Sequence, residues 1–261
     1  MSLAGASLSI VNAVCGRFFR VHLRPHPIDK SAIETGIPPK EPVLDDALRR
    51  LRNHNIEIAS LIDVGAAEGY WSAAFAKHFP GRHHLLIEAN EVHLPNLEKV
   101  CRENKRWQFA LTAAGGTTGE AYFDGSDPLG GHLSTDPWDK NYRPSPVTTL
   151  DDLLAKYPIP GPYMIKLDTH GVEIPILTGA TRTLKQANAV VIEAYNFTFG
   201  GTAVPFWDLC RYMVDLGFRP LDVFDLLYRE VDRAFWQFDL LFVRGDLPLF
   251  RDSRFFIAGR H

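Results

Sequence analysis

The segment 61–72 reads Leu-Ile-Asp-Val-Gly-Ala-Ala-Glu-Gly-Tyr-Trp-Ser, in which two glycines separate an apolar run from a stretch with helical spacing. The apolar run 56–64 is predicted as a buried strand, and the residues after the second glycine are predicted as a helix. Gly65 allows a tight turn, Ala67 lets a ligand approach the main chain, and Gly69 lets the helix pack closely on the strand. Such a strand, turn and helix predict a nucleotide-binding unit.

The same turn argues against one class of nucleotide. No G-x-G-x-x-G pattern can be written here, because Ala67 stands at the middle position. A pyrophosphate-binding dinucleotide site needs the closest approach of the backbone, so an NAD-dependent oxidoreductase is the disfavoured alternative. Asp63, at the end of the strand, suits a ligand that carries positive charge. A turn with a purely structural role remains possible from this segment alone.

The segment 81–90 is predicted as a second short strand that ends in a carboxylate, Glu88, 23 residues after Gly65. A carboxylate at this position of a βαβ unit can accept hydrogen bonds from both ribose hydroxyls. The small residues 112–116 predict either a flat wall for a planar base or an ordinary loop. Together these features favour a ligand that contains a nucleoside. The predicted cofactor-binding residues are Asp63, Gly65, Ala66, Ala67, Gly69, Tyr70, Glu88, Ala89 and Ala113.

The composition of the chain indicates which kinds of binding partner and which cellular compartment to expect. The chain has 261 residues and a formal net charge of −3, without a dense Lys/Arg stretch, so nucleic acid is not an expected partner. No segment approaches the length of apolar sequence that a membrane span requires. Cys15, Cys101 and Cys210 are widely separated, which indicates reduced thiols in a cytoplasmic protein.

The first 55 residues are predicted as a helical and extended lead-in that packs on the core. Residues 1–14 are apolar and small, and the arginines follow them rather than precede them, so a signal peptide is not expected. An amphipathic helix here would pack on the domain or on a partner subunit, which would make a homo-oligomer possible. The proline-rich stretch 21–41 is predicted to be extended.

Residues 56–261 are predicted as one α/β domain, because short apolar strands alternate with helices. The last two strands, within 219–227 and 238–243, lie close enough in sequence to pair antiparallel. The expected fold is therefore a mainly parallel sheet with an antiparallel hairpin at one edge and helices on both faces. Residues 124–146 are rich in Gly, Pro, Ser and Asp and are predicted as a long lid or substrate loop.

Four carboxylates follow predicted strands: Asp63, Glu88, Asp168 and Glu193. The carboxyl ends of parallel strands meet at one edge, where open α/β sheets bind their ligands. We therefore expect these four side chains to gather at one site.

Four segments resemble a known family. Asp63-Val64-Gly65-Ala66-Ala67-Glu68-Gly69 is similar to the first motif of class I S-adenosylmethionine-dependent methyltransferases. The stretch 166–180, Lys-Leu-Asp-Thr-His-Gly-Val-Glu-Ile-Pro-Ile-Leu-Thr-Gly-Ala, resembles the signature of the FkbM family within that class, as do 149–153 and 238–243. The resemblance covers roughly residues 56–245.

Membership would imply a Rossmann-like, seven-stranded fold and methyl transfer from S-adenosylmethionine. The acceptor in this family is usually a hydroxyl of a sugar, a polyketide or another secondary metabolite. Many members have Asn where this chain has Ala67, so binding at that point would rest on the backbone.

A hydroxyl acceptor must lose a proton, and His170 follows the predicted strand that ends near Asp168. Histidine suits general-base work near neutral pH, and Asp168 could orient the imidazole. The alternative is a loop histidine that caps or packs. Asp168, His170 and Glu193 are the predicted catalytic residues.

A metal-based reading of the same carboxylates is possible but not favoured. Asp168 and Glu193, with Asn196 nearby, could bind Mg²⁺ and acidify a hydroxyl. The simpler interpretation is that Glu193 pairs with Lys166 or caps a helix, and no metal ligands are assigned.

Aromatic residues of the 124–146 segment are candidates for the acceptor site. His132, Trp138 and Tyr142 could stack on a sugar or an apolar ring. A chain that has lost catalysis and acts as a cofactor-binding scaffold is a further alternative.

Overall fold

The computed structural model describes residues 43–137, 140–198 and 203–254. The predicted helix over residues 1–14 and the predicted oligomer contact lie outside the described residues, as does Trp138. The described residues belong to one compact unit, 41–261.

The bounds of the elements are as follows. The strands are β1 (Ser60–Val64), β2 (His83–Glu88), β3 (Trp107–Leu111), β4 (Ala113–Ala114), β5 (Gly119–Asp124), β6 (His132–Ser134), β7 (Arg143–Thr148), β8 (Tyr163–Leu167), β9 (Ala187–Tyr195), β10 (Phe218–Tyr228) and β11 (Phe235–Arg244). The helices are α1 (Leu44–Asn53), α2 (Tyr70–His78), α3 (Leu94–Glu103), α4 (Leu150–Lys156), α5 (Glu173–Thr178), α6 (Thr181–Lys185) and α7 (Phe206–Asp215), with short 3₁₀ helices at Glu91–His93 and Pro248–Arg251.

The main sheet has seven strands in the order β10-β11-β9-β8-β1-β2-β3. Neighbours from β9 to β3 pair in parallel, whereas β11 pairs antiparallel with both β9 and β10. Strand order therefore reverses between β8 and β1, which is where such sheets bind ligands. The predicted fold class is confirmed.

Both faces of the sheet are covered, because successive strand residues point to opposite sides. Helices α1 and α2 bury Leu48 and Phe75 in the cluster on one face. Helices α4, α5 and α7 bury Leu150, Ile176 and Leu209 in the cluster on the other. None of the helices in the described part of the chain has the length and apolar character needed to cross a membrane.

The segment 124–146 differs from its prediction as one long loop. It contributes β6 and part of β7 to a second sheet with the order β4-β7-β5-β6. Two prolines in β7, Pro144 and Pro146, argue against a strand in the sequence. They are accommodated because β4 is only two residues long and lies opposite Val147 and Thr148, beyond the prolines.

Candidate active site

A cavity of about 300 Å³ lies at the carboxyl ends of β1, β2, β8 and β9. Five predicted cofactor residues line it, as do all three predicted catalytic residues. These are Gly65, Ala67, Glu88, Ala89 and Ala113, with Asp168, His170 and Glu193. The expected gathering of strand-end carboxylates therefore holds for Glu88, Asp168 and Glu193.

The glycine turn packs directly against the loop after β8. Gly65 has φ +71°, and a Cβ at this position would lie 2.0 Å from the backbone oxygen of Asp168. The N–H groups of Gly65 and Ala66 donate to the carbonyl of Ile87 at 3.0 and 3.1 Å. Glycine is thus required here by conformation and by space.

Glu88 holds the turn as well as lining the cavity. Its Oε2 accepts the N–H of Ala67 at 2.8 Å, and its Oε1 accepts the N–H of Asn90 at 2.7 Å. Ala67 has φ +44°, a left-handed conformation that a residue other than glycine keeps only when its surroundings hold it. Each carboxylate oxygen can accept a further bond, so Glu88 still fits the two hydroxyls of a ribose.

Asp63 does not face the cavity, contrary to its prediction as a contact for a cationic ligand. It is fully buried, and its Oδ2 accepts the hydroxyl of Ser72 at 2.7 Å. Lys166 Nζ lies 3.5 Å from Asp63 Oδ1 and 3.3 Å from Asp168 Oδ2, and it donates to the carbonyl of Gly65 at 2.8 Å. Burial opposes the charge on Lys166, but the nearby carboxylates, with Asp168 first, raise its pKa. Asp63 therefore stabilises the glycine turn from within the core, through Ser72 and Lys166.

Three other predicted cofactor residues lie away from the cavity. Ala66 packs in a small core cluster with Leu86. Gly69 is close to the same side chain, since a Cβ would lie 3.2 Å from Leu86 Cδ2, which agrees with its predicted packing role. Tyr70 begins α2 and is 74% exposed, because its side chain points to solvent.

His170 has an unusual backbone and a fixed tautomer. Its φ is +54°, and its Nδ1 lies 3.1 Å from the carbonyl oxygen of Gly131 in the β5–β6 loop. A carbonyl only accepts, so Nδ1 carries a proton. Nε2 lies 3.6 Å from Asp168 Oδ1 and 3.7 Å from Glu193 Oε2. The three predicted catalytic side chains thus converge on one point.

Neutral groups, rather than Lys166, hydrogen-bond Glu193. The Tyr195 hydroxyl donates to Oε2 and the Gln237 amide donates to Oε1. Burial, followed by the charges of Asp168, Asp239 and Glu173, raises the pKa of Glu193 to about 9. Burial and Asp168 likewise raise the pKa of Asp239 to about 7. The carboxylates are crowded, and the predicted Lys166–Glu193 pairing is replaced by pairing of Lys166 with two aspartates.

Glu173 shapes the loop that presents His170. Its Oε1 accepts the N–H of Gly171 at 2.9 Å and the hydroxyl of Thr169 at 3.1 Å. Burial raises the pKa of this carboxyl. Asn196, the third metal ligand considered from sequence, uses its Nδ2 to donate to the carbonyl of Phe235 at 3.0 Å.

The predicted acceptor residues form a pair beside the cavity. The Tyr142 hydroxyl lies 3.0 Å from His132 Nδ1, and Tyr142 is buried. Neither side chain lines the cavity, but Gly131 and Leu133, on either side of His132, do. Trp138 lies outside the described residues.

Sequence reasoning missed the wall that the β5–β6 loop provides. Phe123 of β5 and Leu129 of this loop line the cavity. Asn90 Nδ2 donates to the carbonyl of Gly125 at 3.1 Å, and His93 Nε2 lies 2.8 Å from the carbonyl of Pro128. The high Gly, Pro and Asp content marked the segment as a binding loop without indicating which residues face inward.

Comparison with solved structures finds distant likenesses. The 1,6-didemethyltoxoflavin-N1-methyltransferase of Burkholderia thailandensis is 13% identical, with a TM-score of 0.44 and coverage of 94% of this chain and 92% of that one. The precorrin-6y C5,15-methyltransferase of Geobacter metallireducens is 10% identical, with a TM-score of 0.42 and coverage of 78% and 91%. A SAM-dependent methyltransferase of Aquifex aeolicus is 12% identical, with a TM-score of 0.40 and coverage of 83% and 99%. No curated protein sequence matches the chain.

A family model described as "Methyltransferase FkbM domain" matches residues 63–220. The match spans more than half of the chain and includes the glycine turn, Glu88 and the three converging side chains. The chain therefore belongs to the FkbM family of class I S-adenosylmethionine-dependent methyltransferases.

Proposed function

We propose that the protein transfers the methyl group of S-adenosylmethionine to a hydroxyl group of a small molecule, such as a sugar, a polyketide or another secondary metabolite. The observation that supports an oxygen acceptor is the cluster of Asp168, His170 and Glu193 at the cavity wall. A neutral amine can attack a methyl group without prior loss of a proton, whereas a hydroxyl needs help to lose one. Proton-handling side chains beside a methyl-donor cavity therefore favour a hydroxyl.

The cofactor half of the cavity fits S-adenosylmethionine. Gly65 lines the cavity, and its lack of a side chain lets the turn pack against the backbone of Asp168. Glu88 offers its two oxygens to ribose hydroxyls, and the small side chains of Ala89 and Ala113 leave room for a planar base. When bound, the cofactor supplies a methyl group on a cationic sulfur that leaves as a neutral thioether.

The chain's own residues hold the acceptor and promote the loss of its proton. Because Nδ1 of His170 is protonated, Nε2 is the atom through which the ring acts. Asp168 and Glu193 both lie close to Nε2, and the Asp168 carboxylate stabilises positive charge there. The β5–β6 loop contributes Leu129 and Gly131 to the wall of the cavity.

Two measurements test this function. Titration calorimetry should show binding of S-adenosylhomocysteine and no binding of NAD, which separates a methyltransferase from an oxidoreductase. Incubation with isotopically labelled S-adenosylmethionine and a panel of hydroxylated acceptors should place the label on oxygen. Label on nitrogen or carbon would contradict the oxygen acceptor. Cofactor binding without transfer to any acceptor would favour the scaffold alternative.

A further inference from the structure

The hydrogen bond from Nδ1 of His170 determines what its other nitrogen presents. With the proton on Nδ1, the neutral ring has a lone pair on Nε2. That lone pair points toward Asp168 Oδ1 and Glu193 Oε2. Three atoms that carry lone pairs converge on one point, where a proton or a metal ion between them relieves their repulsion.

The distances from Nε2 are longer than those of a hydrogen bond and lie within the range that the ligands of one metal ion span. An N–H···O hydrogen bond spans about 2.7–3.2 Å, and the contacts of Nε2, at 3.6 and 3.7 Å, are longer. Around an octahedral ion with bonds of about 2.1 Å, ligand atoms lie about 3.0 Å apart when adjacent and about 4.2 Å apart when opposite. The ligand atoms of Asp168, His170 and Glu193 all lie within 4.8 Å of one another.

The excess of carboxylates over cations around these three residues also favours a metal ion. Lys166 interacts with the other oxygen of Asp168 and also with Asp63, so its single charge is divided. Glu193 receives hydrogen bonds from neutral donors, and Asp239 adds a further carboxylate to the same region. Partly buried carboxylates in excess of the nearby cations are a feature of metal sites.

We propose that Asp168 Oδ1, His170 Nε2 and Glu193 Oε2 bind a divalent metal ion of the Mg²⁺ or Mn²⁺ class. Carboxylate oxygens select hard cations, and the imidazole nitrogen favours Mn²⁺ over Mg²⁺. The bond from Nδ1–H to a backbone carbonyl is the usual support for a metal-binding histidine. The site replaces the predicted role of His170 as a free base.

The catalytic role of this ion rests on the proposed function. Three protein ligands leave positions for an acceptor, and two adjacent oxygens on that acceptor would fill two of them. The ion lowers the pKa of the bound hydroxyl, whose proton passes to water. The oxygen then forms a bond to the methyl carbon while the carbon–sulfur bond breaks, and its electron pair stays on sulfur.

Manganese binding to the protein without a polyhistidine tag tests the site apart from activity. With MnCl₂ as the probe, electron paramagnetic resonance should show one tightly bound Mn²⁺ per chain. Electron-spin-echo experiments should show modulation from a directly bonded imidazole nitrogen. Glu193→Gln and His170→Gln should each weaken binding by more than about 100-fold, beyond the usual effect of losing a supporting residue. Glu91→Gln, an exposed carboxylate at the same sheet edge, is the matched control and should bind normally.

Absence of bound Mn²⁺, or bound Mn²⁺ without a nitrogen ligand, overturns the proposal, and the wild-type spectra decide this even if a variant misfolds. Methyl transfer to oxygen at full rate in EDTA would overturn it while leaving the proposed function intact. Bound Mn²⁺ with the nitrogen ligand, but without transfer to any hydroxyl, would support the site and contradict the function.

Discussion

The charged side chains are paired differently at the two ends of the cavity, namely the cofactor half, around the glycine turn and Glu88, and the acceptor half, around His170. In the cofactor half, Asp63 is bonded by Ser72 and faces Lys166, and Glu88 accepts two backbone N–H groups. In the acceptor half, Asp168 and Glu193 flank a lone pair of His170 at distances too long for hydrogen bonds.

The charges of the cofactor half therefore hold the backbone in place, whereas those of the acceptor half are available to bind a ligand. Charges that are satisfied within the chain hold the backbone in one conformation before any ligand arrives. Glu193 is not paired with a cation in this way: burial and the charge of Asp168 raise its pKa, which favours the arrival of a cation or a proton. The cofactor half is therefore preorganised, and the acceptor half is completed by what it binds.

The largest effect is expected where the two halves touch. Gly65→Val places a side chain against the backbone oxygen of Asp168 and in a left-handed conformation. The free energy of unfolding should fall by about 2–5 kcal/mol, from overpacking and backbone strain together. Cofactor binding should become undetectable by calorimetry. Gly217→Val is the matched control, with φ +83° and open space around the Cβ, and should lose only about 1–2 kcal/mol. Wild-type affinity in a folded Gly65→Val protein would contradict the position of the cofactor.

A substitution in the acceptor half should lower the rate of methyl transfer and leave the affinity for the cofactor unchanged. His170→Ala should lower methyl transfer by about 10²–10⁴-fold, because Nε2 acts on the acceptor directly or through a cation. The dissociation constant of S-adenosylhomocysteine should stay within about twofold. His54→Ala, at an exposed position, serves as the control. Retention of full activity in EDTA-treated His170→Ala would leave only proximity and orientation as the catalytic device.

A substitution in the cofactor half should instead weaken the binding of the cofactor. Glu88→Gln keeps the shape of the side chain but can accept only one of the two backbone N–H groups. Binding of S-adenosylmethionine should weaken by about 1.5–3 kcal/mol, which is the usual worth of hydrogen bonds to a charged group. Calorimetry measures this loss, and Glu91→Gln should bind normally. Unchanged affinity would remove Glu88 from the cofactor site.

The smallest expected effect is a change in stability with pH. It arises from a histidine of the protein core, His84, which unlike His170 lies away from the cavity. His84 is fully buried on β2 and stacks on Trp107 at 4.2 Å, and its two ring nitrogens have no hydrogen-bond partner among the described residues. Burial, with His83 nearby, lowers the pKa of His84 from 6.5 to about 3.

The unfolded chain therefore binds a proton below about pH 6.5 that the folded chain does not accept until about pH 3. Stability is lost as the pH falls through this window, by about 2 kcal/mol between pH 7.5 and pH 5. His84→Phe, which retains the stacking, should remove this share of the acid sensitivity in urea unfolding. An unchanged difference between the two pH values would show that His84 is not its source.

The sequence alone predicted the sheet, its antiparallel edge and the turn at Gly65–Gly69. Each depends on local properties, because strand periodicity and the conformational freedom of glycine act over a few residues. The gathering of Glu88, Asp168 and Glu193 followed as well, since parallel strands must end at the same edge. The family motifs led to the same fold, and the family match agrees with them.

Only the tertiary structure decided which way the side chains face. Asp63 is the penultimate residue of β1, whereas Glu88 is the last of β2, and Asp63 is buried beside Lys166, its partner on β8 about a hundred residues later. The prolines of β7 obscured a strand whose partners become evident only when the second sheet is assembled. The tautomer of His170 depends on Gly131, in a loop 39 residues earlier in the chain. These features rest on contacts between distant segments, and local patterns in a sequence carry no record of such contacts.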